Sequence, residues 1–188
     1  MIGYSFGSLI CLELASVLEK TGKKGQIILI DGAPMFLNKL VSIFDDEEEL
    51  QNYLLSTIIA LSFPEESEIT TNNVLENLTW DVKVDELVKF TTKQNIYSSS
   101  FVRNISKALL NRMKLLIDLD IDAFKQLQST PLSLIRSTEA AVIEIDEDYG
   151  LQKFCKQKIN LQFVDGNHMT VLDNVKLIEI INTIINHN

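Results

Sequence analysis

The chain is poor in cysteine: Cys11 and Cys155 are its only two, far apart and without CxxC spacing. That excludes a disulfide framework or a structural zinc site and fits a reducing, cytoplasmic compartment. Cations are also short, with 17 Lys and Arg against 26 Asp and Glu and a formal net charge of -9. Nucleic-acid footprints need clustered Lys and Arg, so a phosphate-backbone ligand is excluded, and small molecules or proteins are the expected partners. No apolar run approaches the roughly 20 residues that a membrane span needs, and no basic segment precedes an apolar one at the N-terminus. Neither a membrane span nor a secretory leader is expected. Without such a leader, the glycosylation patterns Asn77-Leu78-Thr79 and Asn104-Ile105-Ser106 carry no weight.

With 188 residues, 46% of them hydrophobic, the chain can bury a sizeable core. Its most informative stretch is Gly3-Tyr4-Ser5-Phe6-Gly7, which fits the Gly-x-Ser-x-Gly turn that raises a serine nucleophile between a strand and a helix. Such a match alone is weak, and its context is what strengthens it. Residues 8–20 combine good helix formers with Gly22 just past their end, so they read as a buried helix. Residues 26–31, QIILID, are a short apolar run between glycines, the pattern of a parallel strand covered on both faces. Gly3 and Gly7 are expected to be required because side chains there would collide where strand and helix approach. The ordinary alternative for Ser5 is a helix cap.

Residues 40–126 change to helical periodicity and read as an all-helical insertion of four helices. Asp46 and Glu49 resemble a capping box, a second helix is expected over Val74 to Trp80, and Leu87, Val88 and Phe90 suggest a third. Val102, Ile105, Leu109, Met113 and Leu116 define the longest apolar stripe. Ordinary core between helices accounts for these stripes, and a lipid-facing groove is the sharper alternative. After residue 130 the α/β rhythm returns, with strand-length runs at 131–136 and 159–164. A closing helix follows Asp173 as its cap and places Leu177, Ile178, Ile181, Ile184 and Ile185 on one face. The fold class is thus α/β, a mostly parallel sheet formed by residues 1–39 and 127–188 with an all-helical lid at 40–126.

A serine hydroxyl needs a base to take its proton, and the chain offers two histidines. His187 is penultimate and reads as a solvated tail residue. His168, in Asp165-Gly166-Asn167-His168 just after a predicted strand, can project to that strand's carboxyl end. For the acid, Asp31 ends the strand after the serine helix, and the order Ser, Asp, His is that of α/β-hydrolases. Glu139, Asp146 and Asp148 stay open, because the acid of many hydrolases follows the next strand. The backbone N–H of Phe6 is the expected oxyanion donor. A second donor is expected from a loop after an early strand that this sequence does not contain, so the chain reads as the back portion of a domain.

These residues lead to a resemblance. GYSFG before a helix, ILIDGAP, a helical insertion, PLSLIRS, DEDYGLQKFC and VDGNHMTVL are similar in content and order to the C-terminal thioesterase domain of animal-type fatty acid synthase. That family takes its acid from the strand right after the nucleophile helix, which favours Asp31. The resemblance implies hydrolysis of a fatty acyl thioester held on the phosphopantetheine of an acyl carrier protein, inside a homodimeric multidomain synthase, with no metal or other cofactor. A thioesterase of polyketide or nonribosomal peptide assembly shares the fold and the turn. A non-catalytic binding module that keeps the fold but forms no acyl-enzyme is the reading from a different class.

Overall fold

A computed structural model of the chain describes residues 1–62, 78–93, 97–139 and 145–186, with side chains of 60–62 left aside. The chain divides into two compact units, one of Met1–Leu40 and Leu119–Asn188, the other of Val41–Asp118.

In the first unit four strands form a wholly parallel sheet in the order β1-β2-β3-β4. They are β1 (Ile2–Tyr4), β2 (Ile27–Ile30), β3 (Leu132–Glu139) and β4 (Asn160–Asn167). Every residue of β2 is buried, which explains its unbroken Ile-Ile-Leu-Ile sequence: a central parallel strand has no solvent face to alternate with. Helix α1 (Gly7–Lys20) connects β1 to β2 and buries Leu9, Cys11, Leu12 and Ala15, while Ile10, Leu14 and Val17 are exposed. The expected fully buried helix is therefore buried on one face only, because the sheet covers one side of it. Helix α2 (Pro34–Val41) follows β2; its sequence is too short for a clear period and carried no expectation. Its Phe36 and Leu37 are among the least exposed side chains of the unit.

The last helix of the unit, α6 (Val175–Asn186), packs Leu177, Ile180, Ile181 and Ile184 against Ile28, Ile30, Ile135 and Val164. Ile178 and Ile185, expected on the packed face, are exposed; the buried stripe follows the i, i+3, i+4, i+7 rule from Leu177. Its cap also differs from the expected Asp173. The side chain of Asn174 accepts from the Lys176 N–H at 3.0 Å, whereas Asp173 ends a short 3-10 turn.

The end of the sheet opposite the strand carboxyl ends is held by Glu19, near the end of α1. Its carboxylate accepts from the backbone N–H groups of Gln128, Ser129 and Thr130 at 2.9, 2.8 and 2.6 Å and from both adjacent hydroxyls. Desolvation opposes ionisation there, but these donors outweigh it and hold Glu19 down at about 2. A depressed carboxylate contributes stability above its unfolded value of about 4.3 and loses it as pH falls towards its folded one. Glu19→Gln is therefore expected to cost about 1 kcal/mol at neutral pH, because water competes for this partly exposed site. Denaturant melts from pH 7 to pH 2.5 should show that cost shrinking as the wild type loses the same contribution.

The second unit contains α3 (Glu47–Ser62), α4 (Trp80–Lys93) and α5 (Ser99–Ile117). The helix expected over Val74 to Trp80 lies mostly outside the described residues, and Trp80 itself opens α4. Half of the capping box is present: the Glu49 N–H donates to the Asp46 side chain at 2.8 Å, whereas the Glu49 carboxylate reaches past the cap to the Asp45 N–H at 2.7 Å. Leu55, Ile58 and Ile59 of α3, Val84, Leu87 and Val88 of α4 and Val102 of α5 form one buried cluster; of the longest expected stripe it takes Val102, with Leu109 partly buried against it.

Candidate active site

β1 ends and α1 begins within two residues, and the chain can do so only through an unusual backbone. Ser5 has φ 52°, a left-handed conformation rare outside glycine, and its N–H still donates to Ile30 O at 3.0 Å. Gly3 has the role expected of it, since a Cβ there would lie 2.7 Å from Gly7 O and 2.8 Å from Cys11 Sγ. Gly7 does not: a Cβ at that position would meet nothing within 4 Å, because the first residue of α1 faces open space. Phe6, at the start of α1, keeps helical angles, which places its N–H at the positive pole of a 14-residue helix.

Asp31 follows the last residue of β2, also left-handed at φ 45°, with its N–H bonded to Ile135 O at 2.8 Å. His168 follows the last residue of β4. Gly166 at φ 120° turns the chain there, and the Asn167 side chain accepts from the N–H groups of Met169 and Thr170 at 2.9 and 3.0 Å. The Tyr4 hydroxyl donates to the His168 carbonyl, and the two rings stack at 5.1 Å. Burial first, and then the charge of Asp31, push the Tyr4 phenol up to about 12, so it stays a donor.

The three residues meet at the carboxyl ends of parallel strands, where open α/β sheets gather their chemistry. His168 Nε2 lies 2.9 Å from Ser5 Oγ, and Nδ1 lies 2.8 Å from Asp31 Oδ2. Asp31 is 1% exposed, yet its carboxylate accepts three further bonds: Ser137 N–H and Tyr149 O–H on Oδ1 at 3.0 and 2.8 Å, and Ser137 O–H on Oδ2 at 3.0 Å. Desolvation alone would oppose its ionisation; the His168 hydrogen bond, then those of Ser137 and Tyr149, reverse this and keep it below the usual carboxylate range. A buried anion beside one imidazole nitrogen fixes the other as the acceptor facing Ser5.

Of the alternative acids, Asp148 is engaged locally, accepting from the N–H groups of Gly150 and Gln152 at 2.9 Å each. Asp146 turns the chain through its carbonyl, which accepts from the Tyr149 N–H at 2.9 Å. Glu139 ends β3, and the carboxylate bonded to His168 is that of Asp31. His187 lies outside the described residues. Tyr4, Ser137 and Tyr149 carried no expectation as site residues; Tyr4 stood inside the pentapeptide, but their contacts span too many residues for local spacing to reveal. Among the described residues no group of three His, Cys, Asp or Glu side chains could hold a metal ion, and no helix is long and apolar enough to cross a membrane.

A parallel sheet, a left-handed serine between strand and helix, and the chain order Ser, Asp, His define an α/β-hydrolase-like fold and site. A family model, the thioesterase domain, matches residues 1–185, and the chain belongs to that family. No curated protein matches it significantly in sequence. Among solved structures, it is similar to a four-domain nonribosomal peptide synthetase, AB3403, bound to AMP and glycine: 18% identity, TM-score 0.70, covering 99% of this chain and 14% of that one. It is also similar to the Vlm2 thioesterase domain, at 18% identity and TM-score 0.56, covering 91% of this chain and 61% of that one. The NocB thioesterase domain, in covalent complex with a fluorophosphonate nocardicin G analogue, gives 16% identity and TM-score 0.53, covering 91% and 57%. The chain thus spans about three-fifths of the isolated thioesterase domains it matches.

Proposed function

We propose that the chain is a serine thioesterase that hydrolyses an acyl thioester carried on the phosphopantetheine arm of an acyl carrier protein in the cytoplasm. The observation that carries this reading is the continuous hydrogen-bonded path from Ser5 Oγ through His168 to Asp31. Ser5 Oγ bonds to the thioester carbon while its proton moves to His168 Nε2, and Asp31 offsets the imidazolium charge. The carbonyl oxygen, now an oxyanion, accepts from the Phe6 N–H. The C–S bond then breaks, His168 gives its proton to the thiolate, and an acyl-Ser5 ester remains. Water, deprotonated by the same His168, attacks that ester; the bond from the acyl carbon to Ser5 Oγ breaks, His168 returns the proton to Oγ, and the acid leaves.

The resemblance to the fatty acid synthase thioesterase favours a fatty acyl chain as substrate, free fatty acid as product and a homodimeric multidomain synthase as parent. A peptide-assembly or polyketide role is a second reading, favoured by the solved structures that share the fold, two of them from nonribosomal-peptide and nocardicin-type systems by name. The two separate on product analysis by mass spectrometry after the chain meets carrier proteins loaded with palmitoyl, hexanoyl or peptidyl thioesters. Fatty acid release at least about tenfold faster than peptidyl release, some 1.4 kcal/mol of discrimination, is expected. Faster peptidyl release selects the second reading, and no release with no acylation of Ser5, in this chain and in one extended upstream, sinks both.

A further inference from the structure

The path from Ser5 to Asp31 leaves one buried group without a task. Tyr149 is fully buried, and its hydroxyl donates a 2.8 Å hydrogen bond to Asp31 Oδ1 from a turn 118 residues further along the chain. The backbone does not reach this place easily. Tyr149 has φ 56°, which costs a bulky side chain about 1 kcal/mol or more, and Gly150 follows at φ 72°, where a Cβ would collide with Met35 Sδ.

Several contacts hold the turn in that conformation. Phe36 stacks on the phenol ring at 4.2 Å with the planes 11° apart, and the Arg136 guanidinium sits 4.6 Å from the ring centroid on β3. Arg136 also donates to the carbonyls of Asp146 and Glu147 at 3.3 and 3.0 Å, and Asp148 caps the N–H groups beyond the tyrosine. Core filling would require only the ring, since a phenylalanine packs equally well and buries no hydroxyl. The strain and bracing are accounted for if the hydroxyl is what the turn delivers.

We propose that Tyr149 is a positioning residue, whose hydroxyl occupies Oδ1 of Asp31 and so fixes the carboxylate with Oδ2 turned to His168. This rests on the serine-hydrolase reading above. The groups that face it are few: Asp31 and the Ser137 side chain at its hydroxyl, Arg136 over its ring, and His168 beyond Asp31. Burial first, and then the Asp31 charge, push the phenol above the ordinary tyrosine range, so it donates at every working pH. Without it, Oδ1 retains only the Ser137 N–H, and the carboxylate can rotate away from its present angle. A carboxylate with fewer donors is also a stronger base, which pulls harder on the Nδ1 proton and favours the imidazolium.

The test uses the full chain and the variant Tyr149→Phe, which keeps the ring and removes the hydroxyl. Fluorophosphonate labelling of Ser5 followed against pH should slow about 10-fold at its optimum. The acid limb of the profile should move up by about half a pH unit, and the downfield His168 Nδ1–H resonance should shift. A profile and a resonance superimposed on the wild type would overturn the proposal. If Tyr149→Phe does not fold, 3-fluorotyrosine placed at 149, a stronger donor, should move the acid limb the other way, and an unmoved limb overturns the idea equally. Failure of the hydrolase reading is distinguishable: a folded wild type that resists labelling even when extended upstream defeats that reading, while the Nδ1–H resonance still decides the role of Tyr149.

Discussion

Ser5→Ala should abolish fluorophosphonate labelling and lower thioester turnover by about 10⁶-fold, the scale on which removal of a serine nucleophile acts in triad hydrolases. Ser5 Oγ lies 2.9 Å from His168 Nε2, and the Phe6 N–H proposed above as oxyanion donor stands next to it at the start of α1; both become idle when the oxygen is removed. The same change should leave folding nearly untouched. The side chain is partly exposed, and its Nε2 partner on His168 is 19% exposed, so water can replace the lost hydroxyl. A melting midpoint equivalent to within about 0.5 kcal/mol of wild type is expected. A Ser5→Ala chain that is folded and turns over substrate at the wild-type rate would end the nucleophile assignment.

Asp31→Asn should be nearly as damaging to rate, at about 10⁴-fold, and should also weaken the fold. The carboxylate is surrounded by donors: Ser137 N–H and Tyr149 O–H on one oxygen, Ser137 O–H and His168 Nδ1 on the other. An asparagine amide can accept on one side only, so in either orientation its NH₂ group meets two of these donors. If the NH₂ faces His168, the imidazole turns its acceptor towards the amide and its N–H towards Ser5, the wrong tautomer for a base. If it faces Tyr149, a buried hydroxyl loses its partner, at about 1–3 kcal/mol. The pH dependence has a definite sign. Asp31 is held below its unfolded value of about 3.9, so its contribution is present above that pH and lost as pH falls. Wild type should therefore destabilise more steeply than Asp31→Asn on acidification, in chemical melts from pH 6 to pH 2.

The sequence was most readable where one short segment contained its own cause. The turn at Ser5, the strand ending in Asp31 and the strand before His168 each announce themselves by local pattern, and the order of the three residues follows from the chain. What stayed hidden depends on distance along the chain. Nothing near Tyr149 says that its hydroxyl reaches Asp31, and nothing near Glu19 says that it binds residues 128–130. Gly7 shows the opposite failure: its motif position suggested a steric need that the helix start does not impose. For α6 the apolar residues were evident, but only the sheet decides that Leu177 and Ile184 face inward while Ile178 and Ile185 do not.

Glu19 and Asp31 are both carboxylates encircled by donors, one ahead of the first residue of β3 and one beside its far end, where Ser137 stands. At about 3.3 Å per residue, the strand between them separates the two anions by on the order of 20 Å, well beyond a Debye length at physiological salt. Heat tolerance and turnover can then be adjusted independently. A laboratory seeking a hardier variant should mutate around residues 19 and 128–130, where improvement leaves the reaction alone, and should keep away from the strand's other end, where the same kind of change would silence it.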